Sequence, residues 1–269
     1  MTHAVAAFAA LFVWWLSTGL ILWRVRAADN GGGDQHLRSV ILAAPMLAVG
    51  VWGVGATLGN PSERGVYAAF LSALAIWGWI ELAFLSGVVT GPNRFPCPPG
   101  ASGAERFVRA FGTIAYHEML LGGVSVALAL WSRGAANDVA AWTFGLLFAA
   151  RVSAKLNLFF GVPRINTEFL PRPLSHLPSH FRRGPVTAAF PVAVTALTLA
   201  VGFFAERLTQ ARTPGEVAGD ALLTALAALA LLEHWFMVLP LPDQKLWRWM
   251  LPARKPAGPD RLKESAHGL

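Results

Sequence analysis

Seven stretches of the chain stay apolar for about twenty residues, the length a helix needs to cross the roughly 30 Å hydrocarbon core of a bilayer. They lie near 4–23, 39–58, 67–90, 113–131, 139–160, 186–205 and 219–239. Between them, polar residues gather with Pro and Gly in DNGGGD, GNPSERG, GPNRFPCPPGASG, SRGAAND and ERLTQARTPGE, as expected of turns outside the apolar phase. This pattern predicts an all-α integral membrane protein: a seven-helix transmembrane bundle over 1–239, followed by a tail over 240–269. Pro45 and Pro191 fall inside the second and sixth spans and predict kinks. Gly55/Gly59 and Ala221/Ala225, four residues apart, predict close helix packing. No Lys or Arg precedes the first span and RVR follows it, so it reads as a span rather than a cleavable leader.

Composition agrees. Of 269 residues 55% are hydrophobic and 14% charged, against about 25% charged in an ordinary soluble domain. The single cysteine, Cys97, excludes an intramolecular disulfide framework and Cys-rich metal sites. The net charge of +7 could suggest nucleic acid, but its distribution follows membrane topology instead. The odd-numbered connections hold three, three and four Lys or Arg residues and the tail six, while the N-terminus and even-numbered connections hold only Arg64, Arg133, Arg207 and Arg212. The positive-inside rule then puts the N-terminus outside and the tail in the cytoplasm. Trp247 and Trp249, beside Lys245 and Arg248, are expected at the inner headgroup layer, and the end of the tail is expected to be disordered.

Charges inside the spans change the picture more. FAARVSAKLNLFF places Arg151 and Lys155 one turn apart on one face of the fifth span, where a lone cation costs roughly 2.5–3.5 kcal/mol. At 1.5 Å per residue, Glu81, His117, Glu118, Arg151, Lys155, Glu233 and His234 all fall about 6–12 Å from the inner boundary. Four spans thus contribute to one layer, in which the cations are expected to meet Glu81, Glu118 and Glu233. Such a layer either fixes helix register or forms a polar pocket open to the cytoplasm for a headgroup, a metal or a proton. The connection after the fifth span, GVPRINTEFLPRPLSHLPSHFRRGP, is too apolar for a free linker. It is expected along the inner interface, with Asn157, Arg164, Asn166 and Glu168 at the mouth of the pocket.

Other chemistries are weaker. His117, Glu118, Glu233 and His234 could form a two-His, two-carboxylate metal set, though nothing in their spacing enforces it. Ala230, four residues before His234, would leave room for a bacteriochlorophyll ligated by that histidine. Pro178 interrupts the one HxxxH, His176–His180. The last span lacks a Schiff-base lysine, and the chain carries no phosphate-binding Walker loop, G-x-S-x-G elbow or paired Asp-rich prenyltransferase box.

YHEML, KLNLFFGVPRINTEFLPRPLSHLPSHFRR and EHWFMVLPLPDQKLW together resemble the photosynthetic complex assembly protein 2 (PuhE) family of purple phototrophic bacteria. The resemblance covers nearly the whole chain. It implies an assembly factor for the reaction centre or light-harvesting complex in the inner, intracytoplasmic photosynthetic membrane, linked to bacteriochlorophyll supply. Membrane lipids and reaction-centre or light-harvesting subunits would be its partners, with no nucleic acid. The family offers no catalytic residues to carry over, so catalysis stays open, and so does the cofactor: none is required, with bacteriochlorophyll or a metal as the candidates. The alternative is a membrane enzyme or carrier acting on a pigment or isoprenoid intermediate at the buried Glu/His/Arg/Lys site. Orientation is directly testable: an alkaline-phosphatase fusion at Arg133 should be active and one at Arg183 inactive, and the opposite result would invert the topology.

Overall fold

The computed structural model describes residues 2–240 and Arg248; Trp247, Trp249 and the rest of the tail lie outside the described residues. The structure is helical, with seven helices long and apolar enough to cross a membrane. The chain runs α1 (Thr2–Gly31), α2 (Gln35–Leu42), α3 (Ala44–Thr57), α4 (Glu63–Leu85), α5 (Gly103–Trp131), α6 (Val139–Phe160), α7 (Ala189–Gln210) and α8 (Pro214–Phe236). Helices α2 and α3 together make the second span, Gln35–Thr57. Pro45 breaks it, since a proline gives no N–H to the helix ladder, and Ala43 caps one half while its carbonyl receives Met46 N–H.

Local chemistry sets the ends. Ser62 and Ser102 each accept a hydrogen bond from the backbone N–H three residues on, so α4 and α5 begin there. Helix α5 therefore starts ten residues before the expected 113, and GAERFVRAFG is helical. Thr213 and Glu216 form a reciprocal capping box that starts α8 at Pro214 rather than 219. Helix α4 ends at Leu85, short of the expected 90, where Gly87 takes φ +73°. The kink expected at Pro191 is absent: α7 begins at Ala189, so this proline sits in the first turn, where its missing N–H costs no ladder bond.

Helices α4 and α8 form the centre, with most of their apolar length buried. Helix α1 packs on α8, α3 on α4, α7 on α8, and α6 lies against both α4 and α8. The main core joins Phe70, Ile76, Leu121, Phe144, Leu222 and Leu226 from four helices. Small residues permit the close approaches; of the pairs singled out by spacing, Gly55 meets Trp131 of α5, a Cβ there falling 3.0 Å from the ring, while Gly59 is open. A Cβ at Gly50 would meet Ile76 and the Ser72 carbonyl at 2.9 Å, and one at Gly53 would clash with the Ser72 hydroxyl. These two glycines, rather than Gly55/Gly59, let α3 lie against α4; Gly59 has nothing within 4 Å of a Cβ. Ala221 and Ala225 are buried in α8.

Two irregular segments complete one end of the bundle. Residues 86–93 lie against α5: Asn93 N–H donates to Gly112 O, His117 N–H donates to Thr90 O, and the Asn93 amide donates to Arg109 O, each at 2.9–3.0 Å. Gly91 touches the α5 backbone so closely that a Cβ would clash with the Gly112 carbonyl and Thr113. Residues 161–188 fold back over the same end through two 3₁₀ turns, Arg172–Leu174 and Leu177–His180. Val162 and Arg183 form a parallel bridge, and buried Asp29 of α1 accepts from both Arg172 N–H and His36, at 3.1 Å. Leu174 and Leu177 are buried against Phe84. This connection therefore caps the end of the bundle, close against the charged side chains.

Gly91→Val should lower the unfolding midpoint of the detergent-purified protein by several degrees, because the wedge on α5 cannot yield backbone. Gly59→Val should leave the midpoint within about a degree, as expected of a surface change.

Candidate functional site

Helices α4, α5 and α6 carry Glu81, His117–Glu118 and Arg151–Lys155 to one place, below the cap made by residues 161–188. Arg151 Nη2 donates to Glu81 Oε2 at 2.6 Å, and Lys155 donates to Glu118 Oε1. His117 lies between the two pairs, fully buried. Its Nδ1 is 3.1 Å from Lys155 Nζ and 3.2 Å from Glu118 Oε1, and its Nε2 faces Glu81 Oε1 at 3.7 Å. An ammonium can only donate, so Nδ1 is assigned as the acceptor and the imidazole proton as Nε2–H, directed at Glu81. The result is one chain, Glu118–Lys155–His117–Glu81–Arg151, in which each carboxylate is answered by a cation.

Phe84 holds this chain from the capped end. Its ring centroid is 4.3 Å from that of His117, and Lys155 Nζ sits 5.1 Å over its face, within cation–π reach. Leu174 and Leu177 of the cap pack on Phe84 in turn, which links the loop to the ion chain through one side chain.

The expected layer is thus brought together in part. Glu233 joins no ion pair or hydrogen bond among the described residues; it lines a cleft whose wall includes Glu81 and Arg151. The expectation that the cations would meet all three carboxylates is corrected here. Two are matched and the third is surplus. His234 faces elsewhere: buried Nδ1 donates to Ala230 O at 2.7 Å, and Nε2 is 2.7 Å from Ser153 Oγ. Both ring nitrogens are engaged, so His234 is not available as a pigment ligand over Ala230. The four-residue metal set of His117, Glu118, Glu233 and His234 is not assembled either. Among the described residues no three His, Cys, Asp or Glu side chains gather to hold a metal.

Of the four residues expected at the mouth, Asn166 is there, lining the clefts on both sides of Arg151. Glu168 instead pairs with Arg248 at 2.9 Å, while its backbone carbonyl accepts from Arg26. Arg164 is exposed and held through its backbone N–H to Met237 O. Asn157 is buried on α6, its amide donating back to Ser153 O. In place of these, Phe169 and Leu170 close the cleft from the cap. The HxxxH pair lies in the cap with both rings buried: His180 Nε2 donates to Phe95 O at 3.2 Å, and burial, with His180 and Arg94 nearby, lowers the His176 pKa.

Two clefts flank Arg151. One, of about 330 Å³, runs between α1, α4 and α8 with Trp14, Ser17, Trp77 and Glu233 on its walls. The other, of about 510 Å³, lies between α5, α6 and the cap and is largely aromatic, with Phe84, Phe107, Phe111, Phe148, Phe159 and Phe181 around it. Leu85, Arg151, Ala154, Asn166 and Leu170 belong to both. Such volumes are in the usual range for small-molecule sites, about 300–1,000 Å³. Sequence reasoning missed this aromatic lobe, and it missed Phe84 although Phe84 stands three residues after Glu81 on the same helical face. It also missed the buried Asp220, which accepts from Arg207 at 2.8 Å near the opposite end of the bundle.

Comparison with known proteins gives a family and a relative. The family described as "Protein of unknown function (DUF3623)" matches residues 1–258. A protein of Rhodobacter capsulatus described as "Uncharacterized 30.4 kDa protein in puhA 5'region" is 56% identical over 247 residues, covering 92% of this chain and 90% of that protein. No solved structure matches the chain.

Because Arg151, whose side chain is 37% exposed, would lose the partner that Glu81 supplies, Glu81→Gln should cost about 1–3 kcal/mol of stability. Glu233→Gln, which breaks no pair, should be neutral or stabilising. Chemical unfolding of the two variants in detergent checks the contrast, and equal losses would contradict this division of the carboxylates.

Proposed function

The chain belongs to the DUF3623 family, and we propose that it is a multi-pass membrane factor for assembly of the photosynthetic reaction centre or light-harvesting complex, in the PuhE line. The observation that carries this reading is the position of the 56%-identical relative, in the puhA 5' region. The PuhE resemblance associates such genes with the reaction-centre H subunit. In this reading the capped end faces the cytoplasm, and the protein works in the inner, intracytoplasmic photosynthetic membrane on subunits of the complex or on the pigment they receive.

The site suits a factor that holds a membrane-soluble component rather than one that remakes covalent bonds. Its two ion pairs are closed on each other, and His117 is fully buried between them. That leaves the clefts beside Arg151 as the part able to receive a ligand. The aromatic lobe favours one second reading, a carrier or enzyme for a pigment or isoprenoid intermediate, because phenylalanine faces suit flat rings and unsaturated chains.

An in-frame deletion in the phototrophic host distinguishes the readings. Normal pigment synthesis with few assembled complexes is the expected result, while an accumulated pigment precursor would favour the second reading. Wild-type complex levels together with wild-type pigment would overturn both. Complementation with Glu233→Gln adds resolution, since the structure gives this exchange little effect on stability. It should restore assembly if the protein acts by holding subunits, and fail if the surplus carboxylate does chemistry.

A further inference from the structure

Arg151 is the one charged residue that lines both clefts, and most of its donors are unused. A guanidinium carries five N–H donors in a planar fork. Here Nη2 alone is engaged, with Glu81; Nε is buried without a partner, and Nη1 makes no hydrogen bond among the described residues. The pair is single-pronged where a fork would allow two bonds. Lys155, by contrast, donates to both Glu118 and His117. These donors leave room for an acceptor besides Glu81; Glu233, on the wall of the other cleft, forms no hydrogen bond with them.

The lobe on the α5 side shows what kind of molecule would bring one. Its walls are phenylalanines from α4, α5, α6 and the cap. Phe107 and Phe111, stacked with centroids 6.5 Å apart, are also exposed on the outer face of α5, so the lobe opens on the side of the bundle. Its rim is held in place. The Arg106 guanidinium lies 4.2 Å over the Phe159 ring while donating to the carbonyls of Phe159 and His180. One strap therefore ties α5 to the end of α6 and to the second 3₁₀ turn. An apolar chamber preformed beside a half-used arginine fits an amphiphile entering from the bilayer.

We propose that this lobe binds a single-chain amphiphile, an isoprenoid or acyl chain bearing a carboxylate or phosphate, with the chain among the phenylalanines and the oxyanion on Arg151 and Asn166. The proposal does not depend on the assembly role. A protein that binds such a molecule does so whether or not complexes fail to form in its absence.

The test is a titration of the purified full chain, in mild detergent, with the fluorescent polyene cis-parinaric acid. Saturable binding is expected, and its methyl ester, which has the chain without the oxyanion, should bind roughly tenfold more weakly, the scale of one charge-assisted hydrogen bond. Ala110→Phe and Ala154→Phe place a ring inside the lobe without touching an ion pair, and each should abolish saturable binding. Displacement by geranylgeranyl diphosphate ahead of palmitate identifies the chain as isoprenoid, and the reverse order identifies it as acyl. The proposal is overturned if no saturable binding occurs, if the ester binds as well as the acid, or if both filled variants bind like the wild type. The acid-to-ester comparison uses the wild-type chain alone, so it decides even if a filled variant misfolds.

Discussion

Inside a bilayer a charge must find its opposite within contact distance, and that requirement organises this bundle. Glu81 on α4 and Arg151 on α6 satisfy it for one another, as do Glu118 on α5 and Lys155 on α6. Because the partners sit on different helices, meeting the electrostatic demand fixes how α4, α5 and α6 face each other. His117 fills the gap between the pairs, within hydrogen-bond distance of Lys155 and 3.7 Å from Glu81. Interhelical packing in lipid has no hydrophobic drive of its own, so a polar chain of this kind, together with close approaches such as Gly50 and Gly53 on Ser72 and Ile76, supplies specificity that apolar contacts alone would leave loose.

The rest of the capped end serves that unit. Residues 86–93 enter the side of α5 and take the His117 N–H onto Thr90, which sets the height of the histidine. The 161–188 connection brings Leu174 and Leu177 onto Phe84, and Phe84 onto His117 and Lys155. Clefts remain on either side of the chain of charges. One cleft holds the unmatched Glu233, the other is aromatic, and Arg151 stands in both.

Much of this was legible in the sequence and some of it was not, for reasons of dimension. Spanning length is a property along the chain, so seven apolar stretches announce seven helices. Depth is also linear, which is why Glu81, His117, Glu118, Arg151 and Lys155 could be placed in one layer before any coordinates. Direction around a helix is different. Glu233 and His234 are neighbours about 100° apart, and only the packing of α8 against its neighbours decides that the histidine turns inward to Ser153 while the glutamate faces a cleft. Helix ends moved for a related reason: Ser102 and Thr213 cap α5 and α8 ahead of the apolar windows, and the later start of α7 makes Pro191 harmless. The cap defeated sequence reading most, since its apolar residues answer to Phe84 rather than to a period.

Membership in DUF3623 and the puhA-region relative give the context in which such a unit would operate, and the geometry says which parts are free to act. The account rests on the ion chain being real and interhelical. Its most direct measurement is a double-mutant cycle on Glu118 and Lys155, using the exchanged pair Glu118→Lys/Lys155→Glu and thermal unfolding in detergent. The account predicts that each single reversal destabilises strongly and that the exchanged pair recovers most of the loss, a coupling of about 1–3 kcal/mol. Additive losses, with the exchanged pair no better than the sum of the singles, would show that the two charges do not meet and would contradict the central claim.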